Sequence, residues 1–483
     1  MTHAHAPDPA DLSVGAAAHA IAAGTLRPDD LLEAVFERID AVDGRIHSYL
    51  RQDREHARVA AQAATRRALD GQRLGPLDGI PFAVKDNIYT AGLPTTAASR
   101  VPQRHDPHLH ATLVQRLQDA GAVLVGKLNT WEYGTGTGAV HFDLDPPPAR
   151  NPWHPEHYTG GSSSGAGAAV AGGTAMFAIG TDTGGSVRLP AAACGVVGLK
   201  PTFGRISRHG VMPNCWSFDT PGPLALTVAD AALAYEAMAG HDPQDPSSLQ
   251  RPVEPVTPTL ETGVRGVRIG LVRRLDPSAG AEPAVDQALE RASQALRAAG
   301  AEVREITLPI APAEYRAIAM PINRCESYSI HERDYLDHRH LMGRALREKL
   351  EIGMYMRAAD YLAALRQRRD LVDRTDAVFA EIDVLLLPMT DRVAPDLRDA
   401  ESVTNFTTCS AGSPFSLTGH PAVSLPAGFD SQGLPVAVQL AGGFLQEALL
   451  MRTARTLERE FSPHPRRAGL AGYASTPDLA IAR

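Results

Sequence analysis

Along residues 11–70 apolar positions recur at helical spacing: Leu31, Leu32, Val35, Phe36 and Ile39 share one face, with acidic residues between them. The pattern predicts an N-terminal helical layer over residues 1–70. Residues 77–84 switch to a short apolar run after Gly79, residues 111–120 return to helical spacing, and residues 122–125 form a second apolar run. Strand, helix, strand order predicts a sheet covered by helices. The alternation continues with a helix at 166–171 and a strand at 176–179, then with residues 267–272, 284–299 and 301–306. Residues 313–380 read as largely helical and charged. The runs Val384-Leu385-Leu386-Leu387, Ala422-Val423-Ser424-Leu425 and Val436-Ala437-Val438-Gln439-Leu440 read as buried strands bounded by Pro and Gly. Between the two α/β stretches, the Pro-rich residues 241–259 read as an exposed linker or long surface loop. There is no fixed-period repeat.

Composition narrows the class without naming a function. The 483 residues are 44% hydrophobic and 21% charged, with 42 Gly and 37 Pro, which describes a globular chain with many ordered loops. A net charge of −8 offers no footprint for nucleic acid or an anionic membrane. The basic cluster Arg366-Gln367-Arg368-Arg369 reads as a solvated helix face, offset by Asp370 and Asp373. Cys194, Cys215, Cys325 and Cys409 show no close pairing, so a reducing compartment is expected. With no basic-then-apolar N-terminal leader, the expected location is cytoplasmic. Residues 165–180 are too short and too rich in Gly and Ala to span a bilayer.

The chemistry concentrates in two glycine-backed serine clusters. Ser186 ends the run Asp182-Thr183-Gly184-Gly185-Ser186, and Ser162 opens Ser162-Ser163-Ser164 after Gly160-Gly161. Amide hydrolysis needs an activated nucleophile, donors for the developing oxyanion and a proton for the leaving amine. The glycines before Ser186 let backbone N–H groups of Thr183, Gly184, Gly185 and Ser186 turn toward one point. Lys85 follows an apolar run, where burial disfavours its ammonium and suits it as a base. A hydroxyl such as that of Ser162 both donates and accepts, so a Ser-Ser-Lys proton path is coherent.

These stretches, with Gly79-Ile80-Pro81-Phe82-Ala83-Val84-Lys85-Asp86, the segment from Cys194 through Lys200-Pro201-Thr202, Pro414 to Pro421 and Gly433 to Gln439, resemble the amidase signature family over residues 11–460. The resemblance implies an α/β fold in a single large domain, with a central mixed twisted sheet and helices on both faces. Residues 71–240 would form its signature core. Residues 241–483 would complete the same domain, and the helices near 313–380 would shape the substrate pocket. It also implies a Ser-cisSer-Lys triad, with Lys85 as base, Ser162 as relay after a cis Gly161–Ser162 peptide, and Ser186 as nucleophile. Thr183, Gly184, Gly185 and Ser186 would supply the oxyanion hole. Asp182 and Arg188 would support the loop, and Ser163 would hydrogen-bond within the site.

Other motifs are weaker. Gly161 to Gly165 also fits G-x-S-x-G, which would make Ser163 a nucleophile but leaves Asp182 to Pro190 unexplained. Gly121 to Leu128 lacks the metal-binding hydroxyl of a phosphate loop. Gly134-Thr135-Gly136-Thr137-Gly138 reads as a loop near the active-site mouth. His105, His108, His110, His331, His338 and His340 read as solvated residues, and no metal or cofactor is required. Trp131, Tyr133, Trp216 and Met320 are candidates for an apolar substrate pocket.

The expected function is stand-alone hydrolysis of small-molecule amides through an acyl-enzyme on Ser186, with carbamate (urethane), aryl-amide and ester bonds within reach. The expected partner is therefore a small-molecule amide or carbamate, with no nucleic acid and no membrane, and a homodimer stays open. The alternative is the glutamine-hydrolysing A subunit of a tRNA-dependent amidotransferase. Net acidity and the segment Leu128-Asn129-Thr130-Trp131-Glu132-Tyr133 weigh against that alternative.

Overall fold

In the computed structural model, which describes residues 8–103, 108–134, 140–276, 280–461 and 466–469, one eleven-stranded mixed sheet forms the centre of a single α/β domain. Its strands are β1 (Tyr49–Gln52), β2 (Pro81–Lys85), β3 (Val123–Leu128), β4 (Phe177–Asp182), β5 (Val197–Lys200), β6 (Thr220–Ala225), β7 (Arg268–Leu271), β8 (Glu302–Glu305), β9 (Val384–Pro388), β10 (Ala422–Phe429) and β11 (Pro435–Gly442). They lie in the order β1-β3-β2-β4-β6-β5-β10-β11-β9-β7-β8. The strands β2, β4, β9 and β11 are buried at every position, which explains their near-continuous apolar runs.

Two features of this topology position the site. β2 runs parallel to β4 with Val84 opposite Ile179, so their C-terminal residues, Lys85 and Asp182, lie at the same end of the sheet. The helix Ser164–Gly172 packs on both strands and returns into β4 through a short turn. It therefore runs antiparallel to β4, and its N-terminus, with Ser162 and Ser163, comes to that same end. Open α/β sheets place ligands outside the carboxyl ends of their strands.

The helices Arg344–Tyr355 and Ala358–Glu381 both pack against the long helix Pro312–His338. Residues 241–259 form a long surface loop, mostly exposed, that is pinned to the body: buried Asp242 accepts from Thr112 and Ser207 at 2.6 and 2.5 Å, and Arg205 donates to the carbonyls of Arg251 and Pro252. Two readings of local exposure need correction. Arg368 turns inward, donating to Leu417 O and Ser217 O and covering the Phe218 ring. His331 is buried against Tyr133 and bonded at Nε2 to Pro213 O; burial holds its imidazole at about 3, so it is neutral. Helical periodicity marks which face is apolar, but it does not show when a polar residue on that face finds its own partners.

Candidate active site

Lys85 is completely buried, and its Nζ donates to Ser162 Oγ at 2.7 Å and to Thr181 Oγ1 at 2.9 Å. Burial pulls its ammonium down from an ordinary 10.5 to about 7, with Asp219 and Asp182 holding it from falling further. The amine is thus poised between proton donor and acceptor near neutral pH. The Gly161–Ser162 peptide is cis. The Ser162 carbonyl accepts from Trp131 N at 3.1 Å and from Thr130 Oγ1 at 3.0 Å. Gly161 has to be glycine, because a Cβ there would run into the Trp131 ring.

Ser186 is half-buried and lines a cavity of about 130 Å³ together with Gly161, Thr183 and Gly184. Its carbonyl accepts from Ser163 N at 3.2 Å, joining the two serine clusters through the backbone. The Ser163 hydroxyl is engaged with the Thr181 backbone at 3.3 Å on both its N–H and carbonyl. It ties the helix start to the end of β4.

The turn before Ser186 is held by a buried ion pair. Asp182 Oδ1 accepts from Gly185 N at 2.8 Å, Arg188 Nη2 at 2.9 Å and Ser416 Oγ at 2.9 Å, while Oδ2 accepts from Arg188 Nε at 3.0 Å and Val187 N at 3.2 Å. Burial alone would raise this carboxyl, but the Arg188 guanidinium and these donors outweigh it and hold Asp182 at about 2. Arg188 also reaches Gln439 and Gly412 O, locking the turn to β11 and to the helix Gly412–Thr418. Gly185 sits at φ 111° with its Cβ position 3.1 Å from Gly412 Cα, so a side chain there is strained by the backbone and crowded by Gly412. The Gly185 N–H is spent on Asp182. Of the four N–H groups expected to face an oxyanion, those of Thr183, Gly184 and Ser186 are left for that role. Thr183 Oγ1 donates to Asp219 at 2.6 Å, and burial raises the Asp219 carboxyl.

Of the four residues expected to line an apolar pocket, Trp131 and Met320 line the cavity. Tyr133 instead donates to Asp334 at 3.0 Å, and Trp216 is 56% exposed with its face on Arg208. Gly134 reaches the cavity, and the rest of the Gly134-to-Gly138 motif falls outside the described residues, as does His105. Sequence reasoning missed the polar wall: Asn214, Arg316, Asn323, Arg324 and Lys349 all line the cavity. Lys349 Nζ donates to Asn214 Oδ1 at 2.8 Å, and burial pulls this lysine down to about 7. The one available signal was a lysine on the apolar face of the helix Arg344–Tyr355, alongside Leu346 and Leu350. No group of metal-ligating side chains is assembled among the described residues, and among them no helix is long and apolar enough to cross a membrane.

A family model described as Amidase matches residues 30–451. The A subunit of the glutamyl-tRNA(Gln) amidotransferase of Chloroflexus aggregans is 40% identical over 95% of this chain and 98% of its own. Among solved structures, one of a vestigial protein complex bearing on the origins of an s-triazine catabolic enzyme superposes with a TM-score of 0.87 at 34% identity, covering 95% of this chain and all of that one. The glutamyl-tRNA(Gln) amidotransferase A subunit of Thermotoga maritima superposes with a TM-score of 0.78 at 30% identity, covering 96% and 99%. The near-full-length likeness to these A subunits overturns the expectation of a stand-alone small-molecule hydrolase. With it falls the expectation of a small amide or carbamate as partner and no nucleic acid. The two arguments that favoured those expectations fail for physical reasons. Whole-chain net charge says nothing about a nucleic acid held by other members of an assembly. Glu132 is a buried scaffold residue, bonded to Ser99 Oγ at 2.6 Å and Gly343 N at 2.8 Å, so its segment reports local packing.

Proposed function

The chain belongs to the amidase family, and from that premise we propose that it is the amide-hydrolysing A subunit of a tRNA-dependent amidotransferase, releasing ammonia from a carboxylate-bearing side-chain amide of the glutamine type. What carries the proposal is the 40% identity to a named A subunit over 95% of this chain. The site geometry supplies the chemistry.

In this reading neutral Lys85 draws a proton from Ser162, which draws one from Ser186. The freed Ser186 oxygen attacks the amide carbonyl carbon. The carbonyl oxygen takes up negative charge facing the backbone donors of Thr183, Gly184 and Ser186, each such donor being worth ~3–4 kcal/mol in the transition state. As the C–N bond breaks, the proton returns from Lys85 through Ser162 to the departing nitrogen, leaving an ester on Ser186 and free ammonia. Water then repeats the sequence on the ester and releases the acid. The Asp182–Arg188 pair keeps the donor turn preformed, so no reorganisation is needed at the moment of reaction. The donor's carboxylate faces the cationic wall of Arg316, Arg324 and Lys349.

The test is ammonia release from glutamine by the full chain with its co-purified partners, compared with Ser186→Ala. Loss of release in the variant, with an unchanged fold by circular dichroism, is the expected result. Turnover retained in Ser186→Ala removes the nucleophile assignment.

A further inference from the structure

The charged lining of the cavity has one sign. Arg316, Arg324 and Lys349 contribute to it, and no acidic residue does among the described residues that line it. Arg324 Nη1 is buried without a hydrogen-bond partner, and Lys349 Nζ donates to the neutral amide of Asn214. The acids behind this wall are already committed. Asp219 accepts from Thr183 Oγ1, Asn214 N and Cys215 N; Glu326 accepts from Ser217 N and Oγ, Cys215 Sγ and Tyr361 OH. A carboxylate entering this space meets a guanidinium nitrogen that lacks a partner, and charge-assisted pairing of this kind is the strongest available to it. An ammonium entering it leaves water, finds like charges and gains no anion. The Asn214 oxygen, one neutral acceptor it could have used, is taken by Lys349.

We propose that the ammonia donor is recognised through its carboxylate alone, so that the site favours side-chain amides bearing a carboxylate and no ammonium over glutamine itself. N-acylated glutamine and 2-oxoglutaramate are of this class. The proposal rests on the reading of the Ser186 site as an amide-hydrolysing centre for carboxylate-bearing donors. Glutamine is accepted by the same cations, with its ammonium an unfavourable passenger. The depressed Lys349 adds to the selectivity, because an anion beside it draws its proton back on and a cation drives it off.

Isothermal titration of Ser186→Ala with glutamine, N-acetylglutamine and 2-oxoglutaramate separates recognition from turnover. The amine-free ligands are expected to bind at least about tenfold more tightly, equivalent to ~1.4 kcal/mol. Lys349→Ala on the same background should weaken all three, and Lys349→Arg should restore them. Glutamine binding as tightly as the others, or none of the three binding, overturns the proposal. Parallel ammonia assays on the wild type keep the two readings apart. Tighter amine-free binding with no ammonia from any donor sinks the hydrolytic reading and leaves the recognition standing. Turnover of all three with glutamine the best substrate does the reverse.

Discussion

Replacing Lys85 with methionine should abolish hydrolysis and yet stabilise the protein at neutral and acidic pH. The side chain is fully buried, and its amine falls from an ordinary 10.5 to about 7 because burial disfavours the charge. At about 1.36 kcal/mol per pH unit, that displacement corresponds to ~5 kcal/mol of stability forgone when the solution is acidic enough to protonate the folded lysine. Methionine fills a similar volume with no charge to desolvate. The variant loses the bonds from Nζ to Ser162 and Thr181, each worth roughly 1 kcal/mol. The net expectation is a gain of ~3 kcal/mol at pH 6. The pH dependence gives the claim its sharpness. Between about 7 and 10.5 the unfolded wild type holds a proton that the folded one has released, so wild-type stability rises with pH across that window. The advantage of the variant should therefore be complete below pH ~7, shrink above it, and vanish near pH ~9, where the remaining charge penalty equals the two lost bonds. Urea denaturation of both proteins at pH 6, 8 and 9.5 measures it. A variant less stable than wild type at pH 6, or an advantage independent of pH, refutes the argument that burial of this amine prepares it as a base.

Asp182→Asn should cost ~3–5 kcal/mol of stability in urea denaturation, since it leaves Arg188 buried without its counter-charge. Ser162→Ala should lower the rate of ammonia release by ~10²–10⁴-fold while the fold is kept, because the proton path is cut and the Ser186 turn is not. Gly161→Ala places a methyl group against the Trp131 ring and should destabilise by ~1–3 kcal/mol in thermal unfolding, with loss of turnover. Trp216→Ala, at an exposed position away from the cavity, should move stability by no more than ~0.5 kcal/mol and leave the KM for the amide unchanged.

The parts of the fold visible in the sequence were those whose signal is local. The β2 and β4 runs were legible because a strand buried on both faces must be apolar throughout, and the glycine-backed serines because a tight turn restricts residue type. The end-to-end alignment of Lys85, Ser162 and Asp182 was legible only through the family resemblance, since it depends on the parallel pairing of β2 with β4 and on the helix that returns between them. The commitment of the Gly185 N–H to Asp182 was hidden for a similar reason: the sequence shows donors, and the partner that takes them is set in three dimensions. The cationic wall was largely hidden because its residues come from two helices: Arg316 and Arg324 read individually as ordinary helix charges, and Lys349 alone carried a signal, by falling on an apolar face. Trp216 misled in the opposite direction, being an aromatic close to the site in sequence that faces solvent.

The destination of the released nitrogen separates an amidotransferase from a free-standing amidase most directly. The tagged full chain, recovered with its partner proteins from its host cell, can be supplied with amide-¹⁵N glutamine, ATP and tRNA(Gln) carrying glutamate. The expected result is ¹⁵N in tRNA-bound glutamine, absent with Ser186→Ala. Ammonia released to solution by the wild type, with no label reaching the tRNA, would contradict the assignment.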